Sequence, residues 1–212
     1  DKKNPVFMRV LAFRKRLIGI EAERSNNMAD NAKAIIVMKV GPHSGMSLSD
    51  IVKSKQEEEK IHGCHYWGYS GVFCRPKPTQ QFCQWAKLVY KEYPQIVLIE
   101  TKSTYKSNIG FIQQYSTNGF EYQFFKAPVQ LQGAQFSFVA KELHEVNGFR
   151  LSDYIVVSGK NDGLPLNEHL RFRVNKSFAK LRTELVEQIN PTEEIKVLSA
   201  TLVPPFAVWL KE

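Results

Sequence analysis

Residues 61–101 read IHGCHYWGYSGVFCRPKPTQQFCQWAKLVYKEYPQIVLIET, and this stretch decides the fold class. Its aromatic and glycine-rich first part predicts a strand leading into a tight loop. Thr79 then stands where a helix start favours a hydroxyl, and Phe82, Trp85, Ala86, Val89 and Tyr93 recur at helical spacing. Pro94 stops the helix, and Ile96 to Thr101 reads as a buried strand. Strand, loop, helix and strand in that order form the connection used to cross over between parallel strands.

Working outward, Ala32 to Val40 is a nearly continuous apolar strand that ends at Gly41 and Pro42, the pattern of a central strand. Ser47 with Asp50 marks a helix start, followed by Leu48, Ile51 and Val52 and then a polar tract, Lys53 to Lys60, expected to face solvent. Further upstream, Val6 to Phe13 and Leu17 to Ile20 read as two strands joined by the basic turn Arg14, Lys15 and Arg16. Downstream the period changes to two. Phe120, Tyr122 and Phe124 alternate with polar residues, as do Phe136, Phe138 and Ala140, and Asn118–Gly119 and Asn147–Gly148 are hairpin-turn signals. Asp153 to Val157 extends the sheet, and Gly159 to Gly163 is a loop. Phe178, Leu181, Leu185 and Ile189 have helical spacing, and Ile195 to Val203 is a last strand. The expectation is one mixed α/β (α+β) domain over residues 1–212. It has one mixed sheet containing a strand-loop-helix-strand unit and an antiparallel hairpin region, with two to four helices.

The chain has 212 residues, 43% hydrophobic and 24% charged, which rules out wholesale disorder and a fibrous repeat. Its longest apolar stretches, Ala34 to Met38 and Val203 to Leu210, are far shorter than the roughly 18 residues of a membrane span. A soluble protein with no membrane partner is expected. Three cysteines without framework spacing, and no secretory leader pattern, predict a cytoplasmic location. The net charge of +8 is unevenly placed. Residues 1–60 hold 12 Lys and Arg against 8 acids, residues 61–150 hold 9 against 5, and residues 151–212 hold 8 of each. An anionic partner should meet the first two thirds.

Two loops combine the residue types that such a partner needs. Gly68 and Gly71, with Tyr69 between them, allow close backbone approach to a phosphate, and Arg75 and Lys77 add charge beside a helix start. The spacing is neither a Walker loop nor a dinucleotide fingerprint. The second loop, Thr101, Lys102, Ser103, Thr104, Tyr105 and Lys106, is a run of hydroxyls and cations after a strand. In open α/β sheets, ligands collect beyond the carboxyl ends of parallel strands, where the two loops would be neighbours. Trp67, Tyr69, Phe73 and Tyr105 among these cations suit a base held with its phosphate, so the expected partner is a nucleotide or nucleic acid, with no cofactor.

Four other readings compete with that one. Glu100 and Lys102 form a Glu-x-Lys pair on one strand face, the arrangement of metal-dependent nucleases, which would require Mg. His62, Cys64, His65, Cys74 and Cys83 are zinc-type ligands without a Cys-x-x-Cys pair, and a cysteine nucleophile with one of these histidines is equally conceivable on composition. The aromatic hairpin at Phe120 to Phe125 would suit a protein interaction module.

Overall fold

The computed structural model describes residues 32–41, 46–101, 109–157, 159–171, 174–183 and 194–211. The strands and basic turn expected within residues 6–20 lie outside them, as do Leu185 and Ile189.

Nine strands among the described residues form one mixed sheet: β1 (Ala34–Val40), β2 (His65–Tyr69), β3 (Gln95–Glu100), β4 (Ile109–Ser116), β5 (Gln123–Gln132), β6 (Phe136–Phe149), β7 (Tyr154–Val156), β8 (Lys176–Leu181) and β9 (Ile195–Lys211). The order is β2-β6-β9-β3-β1-β8-β7, with β4 joined to β9 and β5 to β4. Three α-helices among the described residues accompany it, α1 (Leu48–His62), α2 (Pro76–Tyr90) and the single turn α3 (Leu166–His169). Among the described residues no helix is long and apolar enough to cross a membrane.

The strand-loop-helix-strand unit is present as β2, α2 and β3, but the parallel partner of β3 is β1. Ile35 to Val40 pair with Gln95 to Glu100, and β2 sits at the far edge beside β6. The crossover between parallel strands therefore runs from β1 to β3 and contains both long helices. β1 is flanked by β3 and β8, and Ala34 to Val37 are buried on both faces, which accounts for its unbroken apolar run.

The capping box at Ser47 forms as expected: the Ser47 hydroxyl accepts from the Asp50 N–H, and the Asp50 carboxylate accepts from the Ser47 N–H. α2 starts one turn before Thr79. Pro76 occupies its first position, where a ring-locked φ suits the helix and no N–H is lost, and the Thr79 hydroxyl instead donates to the Cys74 carbonyl. Asn147–Gly148 is no turn but a bulge inside β6, where register shifts between Val146 and Phe149 and Gly148 takes a φ of +71°. Residues 176–181 are a strand, not part of a helix, because they pair on one side with β1 and on the other with β7. β9 runs beyond Val203. Its first half pairs with β3 and β6 and its last residues with β6 and β4, and the change of partner falls at Pro204 and Pro205, which have no N–H for the ladder.

Alternation along β2 and β6 sorts side chains into two cores. Trp67, Tyr69, Phe138 and Ala140 join Ile51 of α1 and Phe82, Cys83 and Ala86 of α2. Tyr66 and Val139 face the other way, with Ile112, Phe125, Val129, Leu131 and Val208. β2 is buried on both faces, and this explains the aromatic density of its sequence.

Candidate functional site

A cavity of about 360 Å³ lies where the carboxyl end of β1, the middle of α1 and strand β2 meet. β1 ends there held on both sides, since the Thr101 N–H donates to the Val40 carbonyl at 2.7 Å and the Lys39 N–H to the Asn175 carbonyl at 2.8 Å. Three of the residues singled out from sequence, Trp67, Gly68 and Tyr69, line this cavity. So do three lysines outside the sequence-derived site, Lys39 on β1, Lys55 on α1 and Lys176 on β8.

Lys55 is only 6% exposed. Its ammonium donates to Glu58 Oε2 at 2.8 Å and lies 5.7 Å from the centre of the Trp67 ring. The other Glu58 oxygen accepts from the Tyr66 N–H. Burial pulls the Lys55 pKa down against the opposing pull of Glu58, and burial pushes Glu58 up. Lys55 and Glu58 had a legible signal. With Leu48 and Ile51 they fall at i, i+3, i+7 and i+10, one stripe of the helix, so the polar tract turns two of its charges inward.

Lys176 donates to the Ser70 carbonyl at 3.1 Å and stands 5.2 Å over the Tyr69 ring. Burial lowers its pKa as well. Tyr69 stacks on Phe138, with ring centres 4.2 Å apart. The Tyr69 hydroxyl donates to the Cys74 carbonyl, fixing the loop that follows. Ser70 bonds to the Gly133 carbonyl and the Gln135 N–H, which ties the end of β2 to the β5–β6 turn. Gly68 is required by close approach: a Cβ there would lie 2.8 Å from that of Ala134.

The rest of the sequence-derived site is not gathered at this cavity. Gly71, Arg75 and Lys77 are exposed in the loop and first turn of α2 and do not line it. That helix start is also a poor phosphate cradle, because Pro76 and Pro78 lack N–H groups and the Thr79 N–H is bonded to the Arg75 carbonyl. Thr101 is partly buried beside the end of β1, while Lys102, Ser103, Tyr105 and Lys106 lie outside the described residues.

Glu100 is exposed opposite Val40 and borders a second cavity of about 570 Å³ with His144, Glu145, Lys53 and Lys196. Glu145 is paired with Lys196 at 2.6 Å. Among the described residues, no three His, Cys, Asp or Glu side chains are placed to hold one metal ion, and this covers both Glu100 and the His62 to Cys83 group. The three cysteines are free thiols. Burial raises the pKa of each, that of Cys74 to about 12, which opposes thiolate formation. No known protein-family model matches this chain, and no curated protein and no solved structure matches it.

Proposed function

We propose that this domain binds a nucleotide or a nucleic acid at the cavity bounded by Lys55, Trp67 and Lys176. The observation that carries the reading is the lining itself. It has lysines and no carboxylate among its described residues, beside an apolar wall of Met38, Met46, Ile51 and Leu131. Such a combination suits a ligand with an anionic group on a flat or apolar body. The excess of positive charge, +8 in all, favours its approach. In this reading phosphate meets Lys176 and the base meets Trp67 and the methionines. Titration calorimetry with a nucleoside monophosphate and with a short single-stranded oligonucleotide, each at low and high salt, tests it. Saturable binding of either that weakens with salt is expected, since phosphate contacts release counterions. Absence of binding of both at low ionic strength overturns it.

A second reading, a protein interaction surface, is favoured by the β4–β5 hairpin, which leaves Phe111, Phe120 and Phe124 65%, 88% and 69% exposed. It predicts indifference to nucleotides in the same titrations.

A further inference from the structure

We propose that Lys55 is the nucleophile of an imine-forming site for an aldehyde that carries an anionic group. The inference goes beyond nucleotide binding and rests on the Lys55–Glu58 pair, not on the charge of the domain.

A lysine that lines the cavity against an indole, joined at 2.8 Å to a buried glutamate behind it, makes a pair that is costly to keep charged. Burial drives Lys55 toward the amine and Glu58 toward the acid. Passing one proton across the existing hydrogen bond gives both neutral forms together. The neutral amine is the reactive form of lysine, and desolvation in an apolar wall is a recognised way to reach it. Lys176 lines the same cavity.

The step balances with the groups present. The Lys55 amine attacks the aldehyde carbon, a C–N bond forms, and the carbonyl electron pair moves to oxygen. Glu58 gives its proton to that oxygen and regains one from the attacking nitrogen, leaving a neutral carbinolamine. Glu58 then protonates the hydroxyl, the C–O bond breaks and water leaves. The product is a protonated imine next to the Glu58 carboxylate, an ion pair of the same sign pattern as the starting lysine and glutamate. Lys176 draws the anionic end of the substrate, so the class is a phosphate- or carboxylate-bearing aldehyde whose body fits about 360 Å³.

Pyridoxal 5′-phosphate, an aromatic aldehyde with one phosphate, serves as the probe on the full chain. Borohydride then adds hydride to the imine carbon and fixes the adduct for peptide mass mapping. One adduct per chain at saturation, located on Lys55, is expected. It should be lost in Lys55→Arg, and in Glu58→Gln it should form roughly 10²-fold more slowly through loss of the proton carrier. Adducts spread over exposed lysines such as Lys53, Lys60 and Lys77 with Lys55 unmodified overturn the proposal. The wild-type map alone decides this if the variants do not fold. No nucleotide enters the experiment, so its outcome and that of the nucleotide titrations are independent.

Discussion

The indole N–H of Trp67 donates to Nδ1 of His65 at 2.9 Å, with the two rings edge to face on neighbouring positions of one strand face. Because Nδ1 accepts, the neutral imidazole carries its proton on Nε2, which is buried without a hydrogen bond and lies 3.6 Å from Glu59 Oε2. A buried imidazole beside Lys55 resists protonation, and its pKa falls to about 4, chiefly through burial.

That shift sets a pH dependence of stability. The unfolded chain takes up the proton near pH 6.5 and the folded chain only near 4, so the unfolded state binds more protons in between. The contribution of His65 is fully present above pH 6.5 and is lost as pH falls toward 4, up to roughly 3 kcal/mol for a shift of this size. Urea unfolding at pH 7.5, 5.5 and 4.5 should show the decline. His65→Asn, which keeps an acceptor for Trp67 and does not titrate, should flatten it. An equal decline in both proteins would remove His65 as its cause.

Gly68→Ala tests the close packing of β2 against the β5–β6 turn. The added methyl would meet the Ala134 Cβ at 2.8 Å and Leu131 at 3.3 Å, and the first of these contacts cannot yield without moving backbone. A loss of about 1–3 kcal/mol is expected from overpacking. Ala134→Gly in the same chain should restore much of it, a coupling that denaturant curves of the two single variants and the double variant measure. Additive losses would show that the two positions do not touch.

Ser47→Ala removes the hydroxyl that accepts the Asp50 N–H at the start of α1, at a cost of about 1 kcal/mol. Because α1 carries Lys55, fraying from this end should also make the Lys55 region exchange amide hydrogens faster. Hydrogen exchange that changes nowhere in α1 would mean that its packing, not its cap, holds the helix.

What was legible in the sequence follows physical locality. Strands β1 and β3 announce themselves by continuous apolar runs, and the α1 start by a capping pattern contained in four residues. Trp67, Gly68 and Tyr69 stood out because β2 packs on both faces. β8 did not: Phe178 and Leu181 have helical spacing, and only pairing with β1 and β7, distant in sequence, makes them a strand. Lys176 reaches the cavity through that pairing, so nothing local marks it. Asn147–Gly148 has the composition of a turn, yet β9 continues alongside β6 and the glycine absorbs a bulge. The glycines and cations of the β2 loop mark a ligand site in the sequence, whereas only its strand end lines the cavity, because α2 begins earlier on Pro76.

Lys176→Met separates charge from packing at the cavity mouth. The substitution keeps an unbranched chain over Tyr69 and removes the ammonium that donates to the Ser70 carbonyl at 3.1 Å. Stability should fall by only about 1 kcal/mol, the scale of one hydrogen bond and a partly exposed cation–π contact. Phosphate-bearing ligands should bind on the order of tenfold more weakly at low salt, and the salt dependence should lose about one counterion. The wild-type protein carries a further signature, because burial lowers the Lys176 pKa below its ordinary 10.5. Its affinity for a phosphate should therefore decline with rising pH sooner than an exposed lysine allows, and the variant should lack that decline. Titrations at pH 7, 8.5 and 9.5, with folding checked by circular dichroism, read both effects. Equal affinity and equal pH dependence in the two proteins would place the anion elsewhere on the basic surface.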